Sequence, residues 1–560
     1  MISILDETKT IVQPNILIGK LLPQEVRTRF APSPTGYLHI GSLRTALYGY
    51  LTAKHYSGKF LLRIEDTDKA RILPGALENI LEMLQWVGLD WDEGPAMTKV
   101  QSSKFKVQSL GNYGPYIQSE RLDIYKKYAQ TLIDAGKAYY CFCAPERLEK
   151  MRAEQNAKKH PTRYDRLCRE LSAKEIEEKI KSGARYVIRF KTPVTGNTEF
   201  NDFIRGAVQF NNSLIDDYIL QKSDGFPTYH LASVIDDHLM EISHVIRGEE
   251  WLSSAPIHLM LYGAFGWQPP LFAHLPNILG ADKKKLSKRA GDAAVGQYIE
   301  KGYLSEALIN FILLLGWNPG TEKEIFTREE MIEEFTLDKV GKSGAIFDLK
   351  KLDWMNGNYI RKMELEKLTE LCLPYLIKAG MIEEVKSEKL KVKSYSSKFK
   401  VKETGEEISF DWLKKVVALE QERMKKLSDI AETTKYFFVD IPQYDAALLK
   451  WKKSTLEKAK ENLAETAKIL ENLPEEKFNK KDLEIAINSL MEKLGVGDTL
   501  WPLRAALSGA KFSPSPFEIA EVLGKEKVLK RIEAGIKKKC QMTNSKCQIN
   551  DKIQMTKKSF

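Results

Sequence analysis

At 560 residues the chain is too long for a single hydrophobic core, so several domains are expected. With 43% hydrophobic and 29% charged residues, and a longest apolar run near Ala307–Trp317 that is broken by Asn310, it reads as a globular chain without a bilayer-spanning segment. The net charge of +10 invites a nucleic-acid partner, but residues 99–106, 386–402 and 531–560 carry +3, +6 and +6, leaving −5 elsewhere, so that partner must be argued from motifs.

Residues 1–24 have no clear periodicity and read as an extension, with neither a signal-peptide core nor an arginine-rich transit segment; a cytoplasmic location is expected. Val26–Phe30 is a β-branched and aromatic run that predicts a buried strand. Pro32, Pro34 and Gly36 then impose a tight, stiff loop. From Ser42 the spacing of Leu43, Ala46, Leu47, Tyr50 and Leu51 is helical, Ser57-Gly58 stops the helix, and Phe60–Ile64 reads as a second strand. The loop enters a helix N-terminus, where free N–H groups and the positive end of the dipole suit a phosphate or carboxylate. Arg29 ends the first strand and should point into the same cleft, whereas Arg27 reads as a surface arginine.

Leu77–Trp86 predicts an amphipathic helix. Ser102-Ser103-Lys104-Phe105-Lys106-Val107 recurs at Ser396–Val401, without helical periodicity, and both copies read as solvated surface inserts. Gly114-Pro115-Tyr116 and Gln118-Ser119-Glu120-Arg121 lead into a helix through Tyr128 and Leu132. Cys141, Cys143 and Cys168 can supply three thiolates to a zinc ion, with Glu170 or His160 as the fourth ligand; a set of small buried apolar residues is the alternative. Val234–Ile235 and Val245–Ile246 read as strand residues, and Asp236-Asp237-His238 as a hydrogen-bonded turn. Asn277–Leu279 predicts a strand before the basic loop Ala281–Arg289. From about residue 361 the pattern is helical, with a capping box at Ser454–Glu457, an apolar face through Leu463, Ala467 and Leu470, and a stop at Pro474. Cys372 falls on such a helix and should be buried. The polar, basic tail after Lys539 reads as disordered.

Pro32-Ser33-Pro34-Thr35-Gly36, Leu38-His39-Ile40-Gly41 and Arg63-Ile64-Glu65-Asp66-Thr67-Asp68, followed downstream by Lys285-Leu286-Ser287-Lys288-Arg289, resemble the HIGH and KMSKS regions of class I aminoacyl-tRNA synthetases, and in detail those of glutamyl-tRNA synthetases. Ser42 stands where the general class has the second His of HIGH, as is ordinary in the glutamyl branch. The resemblance implies a Rossmann-like α/β catalytic domain with an α+β acceptor-binding insertion and an all-helical anticodon-binding region. It divides the chain into an extension (1–24), the first catalytic half (25–120), the acceptor-binding insertion (121–228), the second catalytic half (229–262), the KLSKR and stem-contact region (263–360), two helical modules (361–475 and 476–540) and a tail (541–560).

By the same resemblance the chain is a ligase that activates L-glutamate with ATP and transfers it to the terminal adenosine of tRNA(Glu) or, in a non-discriminating enzyme, of tRNA(Gln) as well. It would work as a cytoplasmic monomer, with Mg2+ beside ATP and Zn2+ at the cysteines. His39, Lys285 and Lys288 would be catalytic, and with Gly41 would hold ATP. Arg29, Ala31, Ser33, Glu65, Tyr229, Ser233, Arg247 and Trp251 would hold glutamate, with Arg29 on the side-chain carboxylate and Glu65 on the ammonium. The family often has Asn where Ser233 stands. A glutaminyl-tRNA synthetase would have a β-barrel in place of the helical C-terminal third, and a short tRNA-modifying paralogue would lack that third. A non-catalytic tRNA-binding module would be expected to lose His39 or Lys288.

Overall fold

A computed structural model describes residues 26–100, 104–286, 294–385 and 398–539; the N-terminal extension, Lys288 and the tail lie outside them. The chain forms two compact units, one reaching Ile299 and including Ser305–Leu352, the other made of Glu300–Leu304 and the chain from Asp353.

The first unit begins with β1 (Arg27–Phe30), α1 (Ile40–His55) and β2 (Lys59–Leu62), the predicted strand–loop–helix–strand. Leu43, Ala46, Leu47, Tyr50 and Leu51 of α1 are all buried. The turn into β2 needs glycine, because a Cβ on Gly58 would lie 2.0 Å from the Val26 carbonyl oxygen. After α2 (Ala76–Trp86), β3 (Gly94–Val100) pairs antiparallel with β4 (Lys104–Leu110), so Lys104–Val107 lie in a strand where an aperiodic surface insert was expected. The insertion follows: α3 (Leu122–Asp134), β5 (Ala138–Cys141), α4 (Pro145–Ala157), α5 (Ala173–Lys181), β6 (Val187–Phe190), β7 (Asn197–Asp202), β8 (Gly206–Asn211) and β9 (Ile219–Gln221). Its strands pair as β5-β6-β9 and β7-β8.

The chain then returns through α6 (Tyr229–Leu239), β10 (His244–Gly248), α7 (Ala255–Phe265) and β11 (Leu271–Leu275). These close a parallel sheet of order β11-β10-β1-β2, so the sheet continues beyond residue 262. Val234–Ile235 lie in α6, not in a strand: Leu231, Ala232, Val234 and Ile235 are spaced for one buried helix face. The short β12 (Ile278–Leu279) pairs with β13 (Ala345–Ile346), across α8 (Val295–Glu300), α9 (Ser305–Leu313) and α10 (Arg328–Glu334). The two units divide at Leu352/Asp353, inside α11 (Leu349–Lys362), rather than at 360.

The second unit carries α12 (Leu365–Lys378), a small antiparallel sheet of β14 (Ile382–Glu384), β15 (Lys398–Val401) and β16 (Glu407–Ser409), and then α13 (Phe410–Glu420), α14 (Asp429–Thr434), α15 (Leu456–Glu471), α16 (Lys480–Leu494), α17 (Val496–Ser508), α18 (Pro516–Leu523) and α19 (Lys525–Lys537). The second copy of the repeated text is therefore β15, with Phe399 and Val401 buried. α15 is capped by Thr455, which accepts from the Lys458 N–H, so the cap lies one residue beyond the expected Ser454. Because α15 packs on α16, α17 and α19, the boundary at 475 crosses one packed group of helices. Cys372 is buried in α12, and burial pushes its thiol up to about 12. No helix among the described residues is long and apolar enough to cross a membrane.

Candidate active site

β1 and β10 are neighbours in the sheet but belong to halves of the fold more than two hundred residues apart, which makes the space between their C-terminal ends the topological switch point. Open parallel sheets bind ligands there. A cavity of about 570 Å³ opens at that place, lined by Arg29, Ala31, Ser33, Glu65, Tyr229, Arg247 and Trp251 among others. All the residues assigned to glutamate are thus brought together except Ser233. That serine is fully buried in α6, does not line the cavity, and its hydroxyl has no hydrogen-bond partner among the described residues.

Arg29 is held by α6. Its Nε donates to Asp237 Oδ1 at 2.9 Å and its Nη2 to Oδ2 at 3.4 Å. Arg63 donates to the same Oδ1 at 2.8 Å and to Glu65 Oε1 at 3.0 Å. The Asp236–Asp237 pair is therefore not a hydrogen-bonded turn but two buried carboxylates of α6 that hold cavity-lining residues, with Asp236 accepting from Arg121, Gln118 and Tyr125. Burial works against the charge on Asp237, yet the Arg29 and Arg63 guanidiniums hold its carboxyl below the usual carboxylate range. Burial raises Glu65 despite Arg63 and Arg29 beside it. Arg27, expected at the surface, is buried, donating to Glu93 at 2.9 Å and to the Met240 carbonyl at 3.1 Å.

On the opposite side, Arg247 Nη1 donates to Tyr229 Oη at 3.1 Å and Nη2 to the Trp251 carbonyl at 3.3 Å. The Tyr229 and Trp251 rings pack against each other, tilted by 37°, with centroids 4.2 Å apart. A smaller cavity of about 120 Å³ is lined by His39, Gly41, Asn277 and Lys285, and shares Ser42, Thr45, Gly248 and Glu250 with the first. His39 caps α1, its Nδ1 accepting from the Gly41 N–H at 3.0 Å, so in the neutral ring the proton sits on Nε2. Lys285 Nζ lies 3.6 Å from Glu250 Oε2. The two cavities adjoin along the first turns of α1, sharing Ser42 and Thr45.

Away from the cleft, the thiols of Cys141, Cys143 and Cys168 gather within 4.8 Å of one another, with Cys143 and Cys168 sulfurs 3.5 Å apart. Glu170 is not part of this cluster: its side chain is 81% exposed and faces Arg169. His160 is exposed as well. The group among the sulfurs is the Tyr164 phenol, 3.3 Å from Cys141 and 3.4 Å from Cys143.

The family described as class I tRNA synthetases (E and Q), catalytic domain, matches residues 25–354, and an anticodon-binding domain matches 367–536. A glutamate–tRNA ligase of Dehalococcoides mccartyi is 46% identical over 527 residues, covering 94% of this chain and 100% of the relative. One from Clostridium botulinum is 46% identical over 522 residues, covering 92% and 99%. The chain belongs to the glutamyl-tRNA synthetases. A crystal structure of a glutamate–tRNA ligase from Elizabethkingia meningosepticum in complex with its amino acid superposes on this glutamyl-tRNA synthetase fold with a TM-score of 0.77 at 37% identity, covering 91% of this chain and 99% of that one.

The cavity also brings Thr67, Asp68, Gln118, Lys222 and Thr228 to its wall, none of which was singled out as a contact. Thr67, Asp68 and Gln118 lie inside motifs already noticed, so position within those motifs was the available signal. Lys222 had none.

Proposed function

We propose that the larger cavity holds L-glutamate between Arg29 and Arg247, and the smaller one the triphosphate of ATP. As a glutamyl-tRNA synthetase the chain is a glutamate–tRNA ligase, joining glutamate to tRNA(Glu) at the expense of ATP. The observation that carries the site is a pair of buried guanidiniums, one from β1 and one from β10, lining one cavity with the Glu65 carboxylate. A free amino acid with an acidic side chain bears two anions and a cation, and this charge pattern complements it.

Activation is attack by the glutamate α-carboxylate on the α-phosphorus of ATP, with pyrophosphate leaving. The nucleophile is already an anion, so positioning and charge stabilisation replace a protein base. His39 and Gly41 line the smaller cavity at the N-terminus of α1, and there the helix N–H groups and the His39 imidazole would stabilise the developing phosphoryl charge. Lys285 exchanges Glu250 for the leaving phosphates, and Lys288 takes the same role on the sequence reading alone. Mg2+ bound with ATP would share that charge. Transfer follows when a ribose hydroxyl of the terminal adenosine attacks the mixed anhydride. Glu65 takes the ammonium.

Three thiols and a phenol oxygen at these separations fit a structural zinc ion, held by Cys141, Cys143, Cys168 and Tyr164 in place of Glu170. A cytoplasmic monomer follows from the same functional reading, since translation consumes the product there.

The test of the amino-acid site is Arg29→Gln. Removing one partner of a desolvated carboxylate costs about 2–4 kcal/mol in kcat/KM for glutamate, and much less for glutamine, whose amide cannot use the guanidinium fork. A glutamate-to-glutamine preference equal to that of the wild type would assign the side-chain carboxylate to other residues.

A further inference from the structure

Arg247 is buried at the end of β10, yet no carboxylate among the described residues stands within ion-pair distance of it, in contrast to Arg29 on Asp237. Its acceptors are neutral. Nε donates to His274 Nε2 at 3.0 Å, and Nη1 meets His258 Nδ1 at 3.2 Å as well as Tyr229 Oη. With Nη2 on the Trp251 carbonyl, four of the five guanidinium N–H groups have partners and one Nη2 hydrogen remains.

These contacts fix the tautomers of the imidazoles behind it. His274 accepts at Nε2, so its proton is on Nδ1, which donates to Asp202 Oδ2 at 2.6 Å. His258 accepts at Nδ1, so its proton is on Nε2, which meets His230 Nδ1 at 3.1 Å. His230 then carries its proton on Nε2. The chain Asp202–His274–Arg247–His258–His230 is drawn from β7, β11, β10, α7 and α6, and its first four groups are buried while His230 is partly exposed. Burial first, and then the Arg247 charge, hold His230 down at about 4 and His258 well below its ordinary range. Burial lowers His274 too, even with Asp202 beside it.

We propose that the neutral imidazoles of His274, His258 and His230, the first of them set by Asp202, form a hydrogen-bond relay that fixes the direction of the Arg247 guanidinium while placing no anion on it, so that a glutamate carboxylate is the first anion it meets. His274 and His258 are positioning residues acting through Arg247. The inference rests on the assignment of the larger cavity to glutamate. Neutral acceptors serve this purpose better than a carboxylate would. A resident anion would hold the guanidinium equally well but would compete with the substrate for its charge, whereas an imidazole spends only a hydrogen. Asp202 sits one imidazole away, where it sets the His274 tautomer without pairing with Arg247.

The experiment compares acceptor-deleting and acceptor-keeping variants in steady-state kinetics: His274→Phe against His274→Gln, and His258→Leu against His258→Asn, with Arg247→Lys as reference. Loss of orientation should raise KM for glutamate about tenfold in the Phe and Leu variants, and less than about threefold in Gln and Asn, with kcat and the KM for ATP within about threefold throughout. An unchanged glutamate KM in the Phe and Leu variants, with Arg247→Lys defective, would overturn the relay and leave the pocket standing. An unchanged glutamate KM in Arg247→Lys would remove the pocket assignment itself. Equal losses in glutamate and ATP parameters would mark the histidines as merely structural and also overturn the relay. Should a variant fail to fold, nitrogen NMR of histidine-labelled wild-type enzyme at neutral pH decides: Nδ1–H at His274 and Nε2–H at His258 are required, and a doubly protonated ring at either contradicts the proposal.

Discussion

Arg29 was legible as a cleft residue because a strand end followed by a proline loop leaves its last side chain facing the loop. Its partner was not, since Asp237 lies 208 residues away and looked locally like a polar turn. Arg27 was misread for the same reason, its counter-ion Glu93 arriving from a separate segment. Buried charges come in sets, and only the fold shows which set a residue joins. Asp237 is shared by Arg29 and Arg63, so Asp237→Asn takes the counter-ion from Arg29 and leaves Arg63 to Glu65, and should cost about 3–5 kcal/mol in denaturant unfolding at neutral pH. Asp237 is held below its ordinary value in the folded chain, so its contribution is fully present above the unfolded carboxylate range and is lost as pH falls through the folded value. The gap between wild type and variant should therefore shrink on acidification. A cost under about 1 kcal/mol at neutral pH would show that the network does not depend on this carboxylate.

The elements most clearly written in the text were those with one strong period. α1 and α15 announced themselves by apolar spacing, and both are present; the expected face of α1 is buried throughout, while on α15 Leu463 and Leu470 are buried and Ala467 is half-buried. The Lys-Phe-Lys-Val repeats lack a helical period because their period is two, and each copy lies in an antiparallel strand. α6 failed in the opposite sense, since Val-Ile favours strands in isolation while tertiary packing selected the helix. The cysteine cluster shows the same limit. β5 presents Cys141, the turn after it Cys143, and a short helical turn Cys168, but the exposed Glu170 on that turn faces away while Tyr164 reaches in. Metal analysis of gently purified protein should find one zinc per chain, lost in Cys168→Ser together with thermal stability. Tyr164→Phe should weaken retention against a chelator, and Glu170→Gln should not. Zinc-free protein with unchanged melting would refute the site.

At the scale of the molecule, the fold class was carried by the resemblance of the motifs, in their order along the chain, to the HIGH and KMSKS regions of class I synthetases. What no local pattern encodes is that β1 lies between β2 and β10, with Thr28 in register with His244. That pairing creates the switch point, and with it the cavity in which Arg29 and Arg247 share a ligand. The helical second unit was legible as helices, whereas its packing groups and the sheet within it were not, because periodicity reports which face is buried and not against what. The account's central claim is that this cleft activates glutamate with ATP. Amino-acid-dependent ATP–pyrophosphate exchange, measured on the full chain with tRNA(Glu) present and absent, tests it most directly. Exchange should appear with glutamate and be at least about a hundredfold weaker in kcat/KM with glutamine, since the amide leaves buried donors mismatched. Exchange that glutamine supports as well as glutamate, or none with glutamate even when tRNA(Glu) is present, would contradict it.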